Sequence, residues 1–149
     1  MKKETGKTYA DYLYYQQITT RWKDNDIYGH VNNVEYYSFF DTVINKWLID
    51  TAGMDIHNGD EIAVCAESNC RYLSPVSFPH TIEAGLRVVH IGRSSVRYEI
   101  GLFEQDTDKL IADGWFVHVF VDREKRQPTA IPAKLKEAMQ KIFKAGEEA

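Results

Sequence analysis

The 149-residue sequence predicts a single-domain α+β protein in which an antiparallel five-stranded sheet wraps around one long helix. Hydrophobic residues make up 44% of the chain, and at this length about 69% of the unfolded surface becomes buried on folding, enough for one core. A single long helical pattern begins at Val34. Three strand-like runs at hairpin spacing follow it, which favours antiparallel pairing over βαβ units.

The first part of the chain contains one strand, one loop and the long helix. Residues 12–22 are rich in aromatic and β-branched types and predict a strand. Residues 23–32 carry the Asp, Asn and Gly that are typical of a loop. From Val34 onward, apolar residues recur at steps of three and four, which predicts a helix whose wide apolar face includes Tyr36, Tyr37, Phe40, Val43, Ile44, Trp47 and Leu48.

Four strand-like runs and a second helix complete the chain. Apolar and polar residues alternate in three runs between residues 62 and 102, and the fourth, from Leu110 to Val121, is apolar on both faces as a central strand would be. Pro132 opens an amphipathic helix. Because neither a linker nor a repeat divides the sequence, residues 1–149 are expected to form one domain, with residues 1–11 as a flexible N-terminus.

Charge and hydropathy exclude some classes of partner. The net charge of −4 provides no positive field for a nucleic-acid backbone, so duplex binding is not expected. No apolar run is long enough to cross a membrane, and a soluble, cytoplasmic protein is expected. Cys65 and Cys70 are five residues apart on one predicted strand, about 16 Å, too far for a disulfide.

The segment from Asp24 to Asn33 concentrates the reactive side chains. Two acids, a Gly, a His and two amides occupy ten residues immediately before the long helix, where backbone N–H groups lack intrahelical partners. A carboxylate at this position can act as base or nucleophile, while a free N–H stabilises negative charge on an oxygen by about 3–4 kcal/mol. The pattern therefore favours a reaction that develops an oxyanion.

Two other interpretations of this segment remain open. Asp, Asn and Gly before a helix are also typical of a purely structural capped junction, with Asn32 or Asn33 as the cap. A calcium loop would use Asp24, Asp26 and Glu35, but Tyr28 stands at a ligand position and a strand precedes the loop where a helix is needed. A transition-metal site lacks a further ligand cluster, so the sequence predicts neither a metal nor a cofactor.

The pattern D-x-D-x-x-G-H-V-N-N-x-x-Y before an aromatic helix resembles the hotdog-fold acyl-CoA thioesterases of the 4-hydroxybenzoyl-CoA thioesterase-like group. The resemblance covers roughly residues 14–145. It continues in R-Y-L-S-P-V, T-I-E-A-G-L-R-V, I-G-R-S-S-V and the final G-W-F-V-H-V-F-V-D. It implies a hotdog fold and hydrolysis of an acyl-CoA to a carboxylic acid and free CoA.

The resemblance also implies roles for the two ends of the motif. Asp26 corresponds to the catalytic carboxylate, acting as a general base on water or as a nucleophile that forms a mixed anhydride with the acyl group. Asp24 corresponds to a structural residue. Asn33 stands at the helix start, where its backbone N–H would polarise the thioester carbonyl. An amide side chain at this position cannot transfer a proton to the leaving thiolate.

Substrate contacts are implied for further residues. Those expected around the acyl group and thioester are Ile27, Tyr28, Gly29, His30, Asn32, Tyr36 and Tyr37. Those expected to bind CoA are Arg93, Ser94 and Ser95, since Arg offers forked donors to phosphate and Ser a hydroxyl. A hydrogen-bonded structural role for His30 and a solvated turn at Arg93–Ser95 are the simpler alternatives.

The resemblance implies a homodimer or homotetramer in which two sheets join edge to edge and the active site lies between subunits. The aromatic side chains are accordingly expected to line the helix–sheet core and an acyl slot shared by two subunits. Two alternatives remain for the function. The substrate could be carried on acyl carrier protein, or the chain could be a non-catalytic module that binds acyl-CoA.

Overall fold

The computed structural model of the protein describes residues 7–144. Within this range the chain forms one long helix, one short helix and five strands, together with two short 3-10 helices at Tyr9–Asp11 and Trp22–Asp24. In chain order the main elements are β1 (Tyr14–Thr19), α1 (Val34–Asp50), β2 (Glu61–Tyr72), β3 (Thr81–Ile91), β4 (Ser95–Glu104), β5 (Leu110–Asp122) and α2 (Ala133–Lys141).

The five strands form one antiparallel sheet with the order β1-β3-β4-β5-β2. The short strand β1 and the long strand β2 are therefore its two edges. Strand β2 pairs with β5 and carries a bulge between Cys65 and Glu67, where the register shifts. This is the predicted hotdog architecture, a five-stranded antiparallel sheet around one long helix with a second helix at the C-terminus.

The core lies between α1 and one face of the sheet. Helix α1 buries its predicted apolar face, contributing Tyr36, Phe39, Phe40, Val43, Ile44, Trp47 and Leu48. These side chains pack against inward-facing residues of the central strands, among them Leu86, Val88, Tyr98, Ile100, Phe116 and Phe120. Tyr37 differs from the prediction, because at 37% exposure it lies at the margin of this face rather than within it.

The opposite face of the sheet is partly covered by the chain that leads into β1. Tyr12 crosses Gly85 and Gly101, and a β-carbon at Gly101 would lie 2.6 Å from the Tyr12 hydroxyl. The same segment buries Arg87, one of the polar residues that alternate with apolar ones along β3. Its guanidinium pairs with Glu99 at 2.7 Å and donates to the Asp11 carbonyl at 3.2 Å, so its charge is compensated.

The N-terminal prediction is only partly covered by the structure, because residues 1–6 lie outside the described residues. Residues 9–11 form a 3-10 helix instead of the expected flexible segment, with the Tyr9 ring stacked on Tyr15 at 4.1 Å. Strand β1 is also shorter than the predicted 12–22, since the chain turns into the Trp22–Asp24 helix after it.

Within residues 7–144, neither helix is long and apolar enough to cross a membrane.

His118 is a polar group inside the core. It is 3% exposed, its ring meets Tyr98 and Phe116 edge-on with centroids 5.3 and 6.4 Å away, and its Nδ1 has no hydrogen-bond partner among the described residues. Burial lowers the pKa of His118 to about 4, because the charged imidazolium would lose its hydration.

We expect His118 to destabilise the fold in acid. Its pKa is lower in the folded chain than the ordinary value of about 6.5, so protons favour the unfolded state and stability falls as the pH drops from about 6.5 towards 4. The loss from this residue is about 2 kcal/mol between pH 7.5 and pH 5. Urea unfolding of wild type and His118→Leu at both pH values measures it. An equal loss of stability in both proteins would contradict the assignment.

Candidate active site

The loop between β1 and α1 is a small closed hairpin. Asn25 and Val31 form an isolated antiparallel bridge, and the N–H of Asp26 donates to the carbonyl of His30 at 2.9 Å. The turn between them closes when the N–H of Gly29 donates to the Asp26 carbonyl at 3.0 Å. Gly29 has a φ of +86°, which is a conformation that glycine adopts without strain. The Gly of the motif therefore lets the loop reverse beside Asp26.

Two bonds tie this loop to the connection between β2 and β3. The N–H of Val31 donates to the Val76 carbonyl at 2.8 Å, and the N–H of Phe78 donates to Oδ1 of Asn25 at 3.1 Å. A chain segment some fifty residues downstream thus forms one wall of the site. The sequence motif alone does not predict this wall. The wall belongs to the connection between β2 and β3, and the order of the strands in the sheet brings that connection to the loop.

Asp24 lies beneath the loop and is fully buried. Its carboxylate accepts bonds from Nη2 and the backbone N–H of Arg21, both at 2.8 Å, and its carbonyl accepts from the Asn32 N–H at 2.8 Å. These contacts connect the strand side of the loop to the start of α1. They suit a structural role for Asp24, and they occupy the carboxylate that a calcium site would need.

Replacing Asp24 by Asn is expected to lower stability by about 1–3 kcal/mol, because the amide presents N–H groups to the donors of Arg21 and leaves buried groups unsatisfied. The urea midpoint of Asp24→Asn against wild type measures this. Asp50→Asn is a suitable control, since Asp50 makes a comparable ion pair with Lys46 on the exposed side of α1. Equal midpoints for the Asp24 variant and wild type would contradict the structural role.

Asp26 lies at the tip of the hairpin and is half-buried. Its Oδ1 accepts the backbone N–H of Tyr28 at 2.9 Å, which fixes the side chain in an Asx-type turn. Asp26 lines a groove of about 350 Å³. The groove is lined by Asp26, Tyr28, His30, Val31, Asn33, Tyr36, Tyr72, Leu73, Ser74 and Pro75.

Helix α1 begins at the same groove. The side chain of Asn32, rather than that of Asn33, caps the helix, because its Oδ1 accepts the N–H of Val34 at 3.1 Å. The N–H groups of Glu35 and Tyr36 donate to the carbonyls of Asn32 and Asn33. Within the described chain, the N–H of Asn33 donates to no protein acceptor. Asn33, at the positive end of the helix, thus lines the same groove as the acidic residue Asp26.

Tyr36 and Tyr72 form the aromatic side of the groove. Their rings meet edge-on with centroids 5.2 Å apart, and the Tyr72 hydroxyl lies 3.4 Å from the Asn33 carbonyl. Burial raises the pKa of each to about 12, so both hydroxyls remain protonated donors at neutral pH. Sequence reasoning missed Tyr72 and its neighbours Leu73, Ser74 and Pro75, although the R-Y-L-S-P-V run that contains them carried part of the resemblance.

The structure does not bring all the predicted residues into this groove. Ile27 is 91% exposed and lines a second groove, which Asp26 also lines. The Tyr37 ring packs against Phe40 and Phe116 at the margin of the core, with centroids 6.4 and 6.3 Å away. Asn32 is taken up by helix capping, while Tyr28, His30 and Tyr36 line the groove and Gly29 forms the turn above it.

The predicted CoA-binding residues Arg93, Ser94 and Ser95 lie at the β3–β4 turn, at the opposite end of the sheet. The loop of Asp26 contacts the segment just before Thr81, and β3 then runs to Ile91, about 33 Å away at the usual rise per strand residue. Within a single chain, these residues are therefore far from Asp26. Among residues 7–144, no group of three or more His, Cys, Asp or Glu is arranged to hold a metal ion.

The model of the thioesterase-like superfamily matches residues 20–139. The solved structure of the PA5185 protein from Pseudomonas aeruginosa is 48% identical and has a TM-score of 0.91, with 94% of this chain and 98% of that chain covered. The PA2801 protein of the same species, a candidate thioesterase, is 29% identical with a TM-score of 0.80, covering 86% and 98%.

A similar fold also occurs in a 1,4-dihydroxy-2-naphthoyl-CoA thioesterase from Synechocystis. It is 14% identical with a TM-score of 0.78, covering 85% of this chain and 94% of that one. No curated protein matches the chain.

Proposed function

The chain belongs to the thioesterase-like superfamily, and on this basis we propose that it hydrolyses acyl-CoA thioesters to a carboxylic acid and free CoA, with Asp26 as the catalytic carboxylate. One observation carries the proposal. Asp26 and Asn33 line the same groove at the start of α1, and among residues 7–144 the N–H of Asn33 has no hydrogen-bond acceptor. A thioester placed between them would have its carbon beside the carboxylate and its oxygen beside the helix terminus.

Each group then has a defined task. In the general-base route, Asp26 accepts a proton from water as the water oxygen bonds to the thioester carbon. The carbonyl oxygen becomes an oxyanion, which the Asn33 N–H stabilises. When the intermediate collapses, the carbon–sulfur bond breaks and the thiolate of CoA leaves. The proton on Asp26 then passes to the thiolate through solvent, which restores the carboxylate. In the nucleophilic route the carboxylate oxygen itself bonds to the carbon, and the carbon–sulfur bond breaks as the CoA thiolate leaves. Water then cleaves the resulting anhydride, which releases the carboxylic acid and restores the Asp26 carboxylate.

A thiol-release assay across acetyl-, hexanoyl-, decanoyl-, branched and aromatic acyl-CoAs tests the function, with the same acyl groups on acyl carrier protein for comparison. We expect at least one CoA ester to be hydrolysed with kcat/KM above about 10⁴ M⁻¹s⁻¹, the lower end for enzymes. Saturable binding of acyl-CoA without release of thiol would contradict hydrolysis. Activity restricted to the carrier protein would contradict CoA as the substrate.

The second part of the proposal is a dimer joined through β2. This edge strand is twelve residues long, and residues 64–69 are exposed along it, whereas monomeric proteins usually protect such an edge. If two copies pair β2 antiparallel about a two-fold axis, the partner's sheet runs in the opposite direction. The β3–β4 turn of the partner then lies at the same end of the joined sheet as Asp26, which suits CoA binding by Arg93, Ser94 and Ser95 across the interface.

Mixed dimers test this arrangement. Arg93→Ala should raise KM for CoA esters because a phosphate loses its charged donor, by about tenfold for a charge-assisted hydrogen bond. It should leave KM unchanged for an acyl thioester of pantetheine, which lacks the nucleotide. In a dimer of one Asp26→Asn subunit and one Arg93→Ala subunit, one site carries both changes and the other neither. Low-KM activity should therefore reappear on mixing, and its absence would contradict a shared site.

A further inference from the structure

We propose that an exposed apolar patch formed by Trp22, Ile27 and Phe78 receives the acyl chain, so that the enzyme selects thioesters with an extended apolar acyl group. This inference rests on the proposed function and adds a substrate class and two specificity-determining residues, Trp22 and Phe78. This patch, which lies outside the groove that contains Asn33, would determine the length of the acyl chain that the enzyme accepts.

The patch exposes large apolar side chains to water. Ile27 is 91% exposed, Trp22 is 75% exposed and Phe78 is 37% exposed. Trp22 and Phe78 meet edge-on with ring centroids 6.1 Å apart, so residues from two chain segments form one surface. Single exposed apolar residues are ordinary, but adjacent ones on rigid backbone are typical of a binding surface.

The backbone beneath the patch is held in place. The bond from the Phe78 N–H to Asn25 and the bridge between Asn25 and Val31 fix Phe78 against the loop that carries Ile27. Trp22 begins the 3-10 helix whose last residue is the buried Asp24. The apolar surface is therefore already arranged before a ligand arrives, and little conformational entropy is lost on binding.

The patch is continuous with the catalytic carboxylate. A groove of about 600 Å³ is lined by Trp22, Lys23, Asn25, Asp26, Ile27 and Gly29. Asp26 also lines the groove that contains Asn33, so this residue is shared by the two grooves. The carbonyl carbon of a thioester carries two substituents, the acyl chain and the thiol carrier. When this carbon lies beside the Asp26 carboxylate, the two substituents must extend away from it in different directions.

Polarity assigns each substituent to one groove. The groove at α1 offers His30, Ser74 and the tyrosine hydroxyls, which can satisfy the amides of a pantetheine arm. Lys23 and Asn25 also line the groove at Trp22 and Ile27, but its large exposed side chains, Trp22 and Ile27, are apolar. An apolar acyl chain therefore gains most there. An acetyl group is too short to lie on these side chains, whereas each methylene that does contact them strengthens binding by roughly fourfold.

Variants of the patch test the inference. In Ile27→Ser and Trp22→Ser, the ratio of kcat/KM for decanoyl-CoA to that for acetyl-CoA should fall about fifteenfold, which is the effect of two lost methylene contacts. Ile56→Ser is the matched control, since Ile56 is also a loop isoleucine, 39% exposed, away from the site. An unchanged ratio in both patch variants would overturn the inference.

Binding separates this inference from hydrolysis itself. In an Asp26→Asn background, calorimetry should show decanoyl-CoA binding at least tenfold more tightly than acetyl-CoA, and Ile27→Ser should remove that preference. This binding preference does not depend on whether the wild type hydrolyses either ester. The experiment therefore distinguishes a failure of the proposed function from a failure of this inference. If Ile27→Ser instead changes the oligomeric state in size-exclusion chromatography while the chain preference stays, the patch is a subunit contact and the inference is wrong.

Discussion

Asp26→Asn is expected to lower kcat for acyl-CoA hydrolysis by about 100- to 10,000-fold, the contribution of a positioned base or nucleophile. The amide keeps Oδ1 as an acceptor for the Tyr28 N–H, so the Asx turn and the loop should persist. It lacks the negative charge needed to accept a proton from water or to attack the thioester. Thiol release under saturating substrate measures the loss.

Asp55→Asn is a matched control for this variant. Asp55 is an exposed loop carboxylate that likewise accepts backbone N–H groups, from His57 and Asn58, but it lies at the other end of α1. Its variant should retain wild-type turnover. Full activity of Asp26→Asn on every ester that the wild type hydrolyses would exclude Asp26 as the catalytic carboxylate.

Asn33→Pro is expected to cost about 100- to 1,000-fold in kcat, the effect of removing one oxyanion donor. Proline has no N–H, and its ring fixes φ near −65°, close to the −53° of Asn33. Helix α1 should therefore still form, because proline is well tolerated in the first turn. Circular dichroism would confirm the helix content while thiol release reports the rate.

Asn33→Ala is the paired variant that keeps the N–H and removes the side chain. Its turnover should stay within a few fold of the wild type, since the proposed donor belongs to the backbone. If alanine were as damaging as proline, the amide side chain would be the important group. If both variants were fully active, the start of α1 would play no part in the reaction.

The sequence predicted the elements of the fold well because their signals are local. The apolar repeat from Val34 follows the helix period, and the strands after residue 61 follow the strand period or lie between turn residues. The burial of Arg87 could not be predicted in this way. It depends on Asp11 and Tyr12 crossing the outer face of the sheet, and alternation within β3 carries no information about what covers that face.

The candidate site likewise contains residues that local sequence could identify and residues that it could not. Asp24, Asp26 and Asn33 lie within ten residues, so the motif could identify them together. Tyr72 and Phe78 belong to the β2–β3 connection and reach the site only through the sheet order and the bonds of Asn25 and Val31. Arg93 lies at the far end of the chain's own sheet, so its proposed contact with CoA depends on a second subunit.

The most direct test of the central claim is a crystal structure of Asp26→Asn with an intact acyl-CoA thioester. The account predicts that the thioester carbonyl oxygen lies about 2.7–3.1 Å from the Asn33 nitrogen, with its carbon beside residue 26. A thioester bound away from the start of α1, with both grooves beside residue 26 empty, would contradict it.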